Sequence, residues 1–230
     1  MPLEELVRQG QEELRNFYAP YFESANDLED FLFDALNYEK GTIARRQMLY
    51  QVQRFVSLAN DIDKVRPARD SLRMMFVKIC LESLCSLSNY KGKRKNIFYQ
   101  KFVEGFSVEG STYILTNFSL TSFEDEWDGH VFKACHKLDM NDFFEIIKTV
   151  RDKVVHEGEY WEMQFFAYDE DSTWLTSLET PENLLPSYKY QRKAKKNTVY
   201  HFATTLKYDR FIYYFTEACV RYISSFTEAL

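Results

Sequence analysis

Near one end of the chain, residues 211–226 place apolar side chains at Phe211, Ile212, Phe215, Ala218, Cys219, Tyr222, Ile223 and Phe226, spaced by one, three and four positions. That spacing puts all of them on one face of a helix with 3.6 residues per turn, and such a face has to be hidden against another element. Three other stretches obey the same rule: Leu49, Val52, Val56, Ala59 and Ile62; then Leu72, Met75, Phe76, Ile79, Cys80, Leu84 and Leu87; then Met140, Phe143, Phe144, Ile147, Val150 and Val154. Four amphipathic helices of roughly 18 to 22 residues each can bury their stripes against one another in an antiparallel bundle. The expected fold is therefore mainly α, with an antiparallel four-helix bundle core.

Punctuation agrees with these helices. Thr42 and Asp139 are N-cap candidates, Pro67 suits an opening turn, and Gly158 can stop a helix in the left-handed conformation. Residues 3–18 and 26–38 read as two shorter helices separated by Pro20, so 1–41 is expected to form an N-terminal helical cap. Residues 89–137 combine YKGKRK, the strand-like STYILTNFSL and the acidic FEDEWDG, and read as an insertion without a clear pattern. Residues 161–207 form a second insertion, in which EMQFFAYDED and TVYHFATTLKY alternate as two strands of a small β-hairpin around the polar connection SLETPENLLPSYKYQRKAKKN. A single domain is expected to span 1–230.

With 29 Lys and Arg against 35 Asp and Glu, the formal charge is -6. Any contact with nucleic acid then has to use a local basic patch. The four cysteines lack a CxxC pairing and three fall on apolar helix faces, which predicts reduced thiols and a cytoplasmic setting. The start lacks a basic-then-apolar leader and no run of eighteen apolar residues occurs, so neither export nor membrane insertion is expected. GxSxG and GxxxxGK[ST] are both missing, and no cofactor is predicted.

The most chemically loaded stretch is RDKVVH, residues 151–156, at the end of the third long helix. Five positions along a continuous helix leave Arg151 and His156 about 140° apart in azimuth and about 7.5 Å apart along the axis. They can meet at one site if the helix ends or distorts between them, or across a groove shared with a second copy. Histidine titrates near neutrality and guanidinium offers a forked donor to phosphate oxygens. Together they suit RNA, which carries its own nucleophile in the ribose 2'-hydroxyl: a base takes that proton, an acid protonates the leaving 5'-oxygen and a cation steadies the phosphorane, with no metal required. A structural alternative stands beside this one, because cations in a last turn also meet the carbonyl end of the helix dipole.

With Arg151, Asp152, three intervening residues and His156 in this place, and one more amphipathic helix after them, the chain resembles the HEPN superfamily. Its bundles carry an Arg, often followed by Asn, Asp or His, then three to five residues and a His. The resemblance implies a dimeric helical bundle and, in many members, metal-independent endoribonuclease activity on single-stranded RNA in toxin-antitoxin, phage-defence or RNA-processing systems. It implies catalytic roles for Arg151 and His156 and an orienting or polarising role for Asp152, with an antitoxin or regulatory protein among the partners. Some members are catalytically silent binding modules, and the Asp152 of this chain stands where asparagine is frequent.

Two basic stretches are candidate phosphate patches. KGKRK covers 91–95; the second interleaves tyrosine with cations and predicts RNA binding by Lys189, Tyr190, Arg192, Lys193, Lys195 and Lys196. His130, Cys135 and His136 lie near four acidic residues but match no zinc spacing, so no metal site is predicted. His201, alone in an alternating run, reads as structural.

Overall fold

The computed structural model describes residues 3–37, 43–90, 92–125, 130–133, 137–156, 158, 163–165, 174–180 and 198–226. Its elements follow the order α1 (Leu3–Tyr18), α2 (Ala25–Leu36), α3 (Ile43–Val65), α4 (Asp70–Leu87), α5 (Lys95–Glu104), α6 (Val108–Asn117), β1 (Phe118–Asp125), β2 (His130–Lys133), α7 (Met140–His156), β3 (Trp174–Thr180), β4 (Thr198–Thr204) and α8 (Tyr208–Ser225). The chain is mainly helical, as the periodicity predicts. In place of a small hairpin it has a four-stranded antiparallel sheet in the order β2-β1-β4-β3.

The backbone gathers into two compact units, one formed by 1–57, 79–106 and 213–230 and the other by 58–78 and 107–212. In the first, α1 and α2 follow one another across a 3₁₀ turn, and the Ser24 hydroxyl caps α2 by accepting from the Asp27 N–H at 3.2 Å. Tyr18 is fully buried and places its hydroxyl on the Leu49 carbonyl at 2.8 Å, which satisfies the one polar atom it takes inside. Phe98 and Phe102 of α5 are fully buried too. Phe102 meets Phe215 and Tyr222 of α8, with ring centroids 5.8 and 6.0 Å apart. The turn after α5 runs so close to α8 that a Cβ on Gly105 would lie 3.2 Å from the Ala218 carbonyl oxygen, so only glycine fits there without a shift.

In the second unit the sheet and α7 share an aromatic core. Phe118 stacks on Phe202 at 5.2 Å and meets Phe143 edge-on at 5.2 Å, while Phe211 contacts both Phe143 and Phe165. In β4 the expected alternation holds, with Tyr200, Phe202 and Thr204 buried and Val199, His201 and Ala203 half-buried. The β1–β4 register shifts between Leu120 and Ser122, an irregularity the hydrophobic pattern does not reveal.

The segment 89–137 is no patternless insertion: it holds α5, α6, β1 and β2. STYILTNFSL is not one strand. Ser107 caps α6 through a bond from the Gly110 N–H, and the chain becomes extended only at Phe118, after Asn117 has tied its amide to the Tyr113 carbonyl and the Thr205 hydroxyl. The start of EMQFFAYDED is not a strand either, since Met163–Phe165 spends two backbone donors on α4: the Met163 N–H on the Ser71 hydroxyl at 3.2 Å and the Phe165 N–H on Asp70 at 2.7 Å. Within 161–207 the strand that pairs with β4 is instead Trp174–Thr180, and β1 flanks β4 on its other edge. Pro67 lies in the turn before α4, where Ala68 has φ 57°, and not in the helix. The buried face of α4 runs through Ser71, Met74, Val77, Lys78, Cys80, Leu81, Leu84 and Cys85; of the predicted stripe Cys80 and Leu84 lie on it, while Leu72, Met75, Phe76, Ile79 and Leu87 are half-buried. Thr42 and residues 181–197 lie outside the described residues.

Candidate functional site

α7 builds the site. Asp139 accepts from the Asp142 N–H at 2.9 Å while the Asp142 carboxylate accepts from the Asp139 N–H at 3.1 Å, a reciprocal box that satisfies two donors at the helix start. Every position predicted for the inner face is buried, from Met140 to Val154, with Ile146 and Lys153 added. Gly158 takes the left-handed conformation at φ 70°, two residues past the helix end, as expected of the stop.

The helix runs unbroken through RDKVVH, so no distortion brings Arg151 and His156 together within one chain. Lys153 and Val154 face inward and are buried. Arg151 and Asp152 occupy the half-buried shoulders, and Val155 and His156 point outward. The Arg151 guanidinium donates to Asp152 Oδ1 at 2.7 Å, with 23% of the arginine side chain and 43% of the aspartate side chain exposed. His156 makes no hydrogen bond or ion pair among the described residues. The fold thus unites Arg151 with Asp152 and leaves the imidazole free to meet a ligand from solvent.

Lys189, Tyr190, Arg192, Lys193, Lys195 and Lys196 all lie outside the described residues, as do Cys135, His136 and the side chain of His130. Among the described residues no group of three or more His, Cys, Asp or Glu side chains converges as a metal site would require. Cys80, Cys85 and Cys219 are buried thiols outside any disulfide, in keeping with small hydrophobes. In KGKRK, a 3₁₀ turn covers Gly92–Arg94 and Lys95 begins α5.

Sequence reading missed the polar groups that this fold takes inside. Lys78 is 2% exposed and Lys153 7%, both in the second unit, and buried lysines are rare enough to single out. Arg73 is held at the start of α4 between Asp70 at 2.7 Å and Asp63 at 3.3 Å, with its guanidinium carbon 4.2 Å from the centre of the Tyr208 ring. Tyr208 in turn donates to Asn60 Oδ1 at 2.8 Å. These side chains come from three helices, so no spacing in the sequence marks them as a group.

The chain matches no known family model, no curated protein and no solved structure.

Proposed function

We propose that the chain is a HEPN-like, metal-independent endoribonuclease acting on single-stranded RNA, with α3, α4, α7 and α8 as the helices of a four-helix core. The observation that carries this reading is an exposed imidazole, His156, on the last turn of the helix that also holds the Arg151–Asp152 pair. A base removes the 2'-hydroxyl proton, the 2'-oxygen attacks phosphorus, and the 5'-oxygen leaves with a proton from an acid, so the products carry 2',3'-cyclic phosphate and 5'-hydroxyl ends. His156 is the proton-transferring group. Arg151, oriented by Asp152, steadies the phosphorane charge.

One chain supplies a single His156 on a flank that diverges from Arg151, so the proposed site takes its groups from two copies around a two-fold axis, where an isologous contact duplicates each of them. Purified protein should therefore scatter light as a dimer and cut labelled RNA in EDTA. His156→Ala should abolish cleavage and, because the side chain is exposed, move the melting temperature by no more than about a degree. Cleavage that survives this substitution, or a strict monomer with full activity, rejects the assignment.

A second reading has its own observation. Asp152 already neutralises Arg151 at 2.7 Å, which suits a catalytically silent helical module that regulates a partner such as a toxin or defence protein. RNA left intact at every protein concentration favours that module.

A further inference from the structure

The C-terminal end of α4 closes in a Schellman turn. The Tyr90 N–H reaches back to the Cys85 carbonyl at 3.2 Å and the Asn89 N–H to Ser86 at 3.0 Å, with Asn89 in the left-handed region at φ 63°. This turn delivers Tyr90 to the rim of a cavity of about 1010 Å³ whose other walls are α5 and the last turn of α8. Arg94, Lys101 and Arg221 line it against one carboxylate, Glu104. Its inner wall is the buried Tyr222, whose hydroxyl shares a 2.6 Å hydrogen bond with Ser88 Oγ. Burial pushes that phenol up to about 12, so it stays protonated at neutral pH.

A bland explanation would have these cations offset the carbonyl ends of α4 and α8. Those ends are already closed. The Ser88 hydroxyl donates to the Leu84 carbonyl at 2.8 Å beside the two turn bonds, and the Arg45 guanidinium donates to the Phe226 carbonyl, from Nε at 2.8 Å and also from Nη2. Arg221 pairs with Glu217 at 2.7 Å and the Lys101 ammonium lies 5.9 Å from the Tyr90 ring centre, whereas Arg94 forms no ion pair among the described residues. The groove therefore holds more positive charge than its own structure uses, next to a half-buried aromatic ring, in a molecule whose net charge is -6.

We propose that this groove binds a nucleoside phosphate, with Tyr90 taking the base and Arg94, Lys101 and Arg221 the phosphate oxygens. Ligand sites commonly enclose about 300–1,000 Å³, a size that admits a nucleotide. A flat base beside a tyrosine and a phosphate beside Lys and Arg use both halves of the lining. A base-free anion would gain nothing from the Tyr90 ring, and an apolar ligand would cover Arg94, which has no ion pair among the described residues, without offering it a partner.

The test is equilibrium binding of fluorescently labelled ADP to the full chain, with unlabelled ADP and inorganic pyrophosphate as competitors. Saturable binding is expected, with ADP the stronger competitor. Combined Arg94→Gln and Lys101→Gln should weaken it at least about tenfold, because charge-assisted phosphate contacts are lost. Tyr90→Ala should erase the advantage of ADP over pyrophosphate. Should Tyr90→Ala unfold, the arginine and lysine variants decide alone, since both side chains are exposed and a melting curve will show them folded. A 5'-phosphorylated oligoribonucleotide that displaces the label, when its dephosphorylated form does not, assigns the site to a strand end; failure of both assigns it to the free nucleotide. No saturable binding, or equal competition by pyrophosphate and ADP, overturns the proposal, and neither result bears on cleavage at His156.

Discussion

Asp70 shows how one buried carboxylate links local structure to pH. It is 7% exposed, and burial raises its pKa above the ordinary 3.8 even though the Phe165 N–H and Arg73 both pull it down. A folded state with the higher pKa binds the proton more tightly than the unfolded chain. The resulting stabilisation is complete below the unfolded value and is lost as pH rises through the folded one. Urea unfolding of the wild type and Asp70→Asn across this range should show the wild type losing stability relative to the variant as pH climbs from about 3.8, then a constant difference once the carboxyl is ionised. A difference that stays flat throughout would mean the carboxyl titrates alike in both states. Nothing in the local string announces this role. Asp70 reads as an ordinary acidic residue in a first turn, and its burial depends on Phe165, ninety-five positions away.

α7 and α4 make the same contrast one level up. In α7 the capping aspartate, the apolar stripe and the terminal glycine agree, so the helix was legible from end to end. Asp139→Ala should cost about 1 kcal/mol in denaturant titrations, and Asp139→Asn much less, because asparagine keeps the acceptor for the Asp142 N–H. In α4 the visible stripe holds only in part: Cys80 and Leu84 are buried, but Ser71 and Lys78 also occupy the inner face while Leu72, Met75 and Phe76 stand half out. An apolar count blurs the boundary of the inner face when a helix is apolar nearly all round. α6 misleads for another reason: Tyr113, Ile114 and Leu115 suit a strand, but Ser107 supplies a cap and tertiary context does the rest. The Arg151–His156 pair was visible as a string, whereas the groove under Tyr90 was not, because its lining comes from three separate stretches of chain.

For the molecule as a whole, the decisive contacts join distant parts of the sequence. The first unit draws on 1–57, 79–106 and 213–230, and the second on 58–78 and 107–212, so no single cut separates them. Phe98 and Phe102 lie against Tyr222, and Phe102 also against Phe215, so a chain ending at Ile212 would leave a large aromatic surface uncovered. Truncating even one buried phenylalanine to alanine costs about 3–5 kcal/mol, and removing α8 takes Phe215 and Tyr222 away together, a loss comparable to the whole stability of many domains. A variant truncated after Ile212 should therefore lose the cooperative thermal transition and bind a hydrophobic dye, while a full chain of the same preparation melts sharply. The same arrangement bears on biosynthesis. While a ribosome is still making this protein, Phe98 and Phe102 must wait without the helix that covers them, so the first unit can finish only after α8 has been released. Holdase chaperones would find their substrate in that interval.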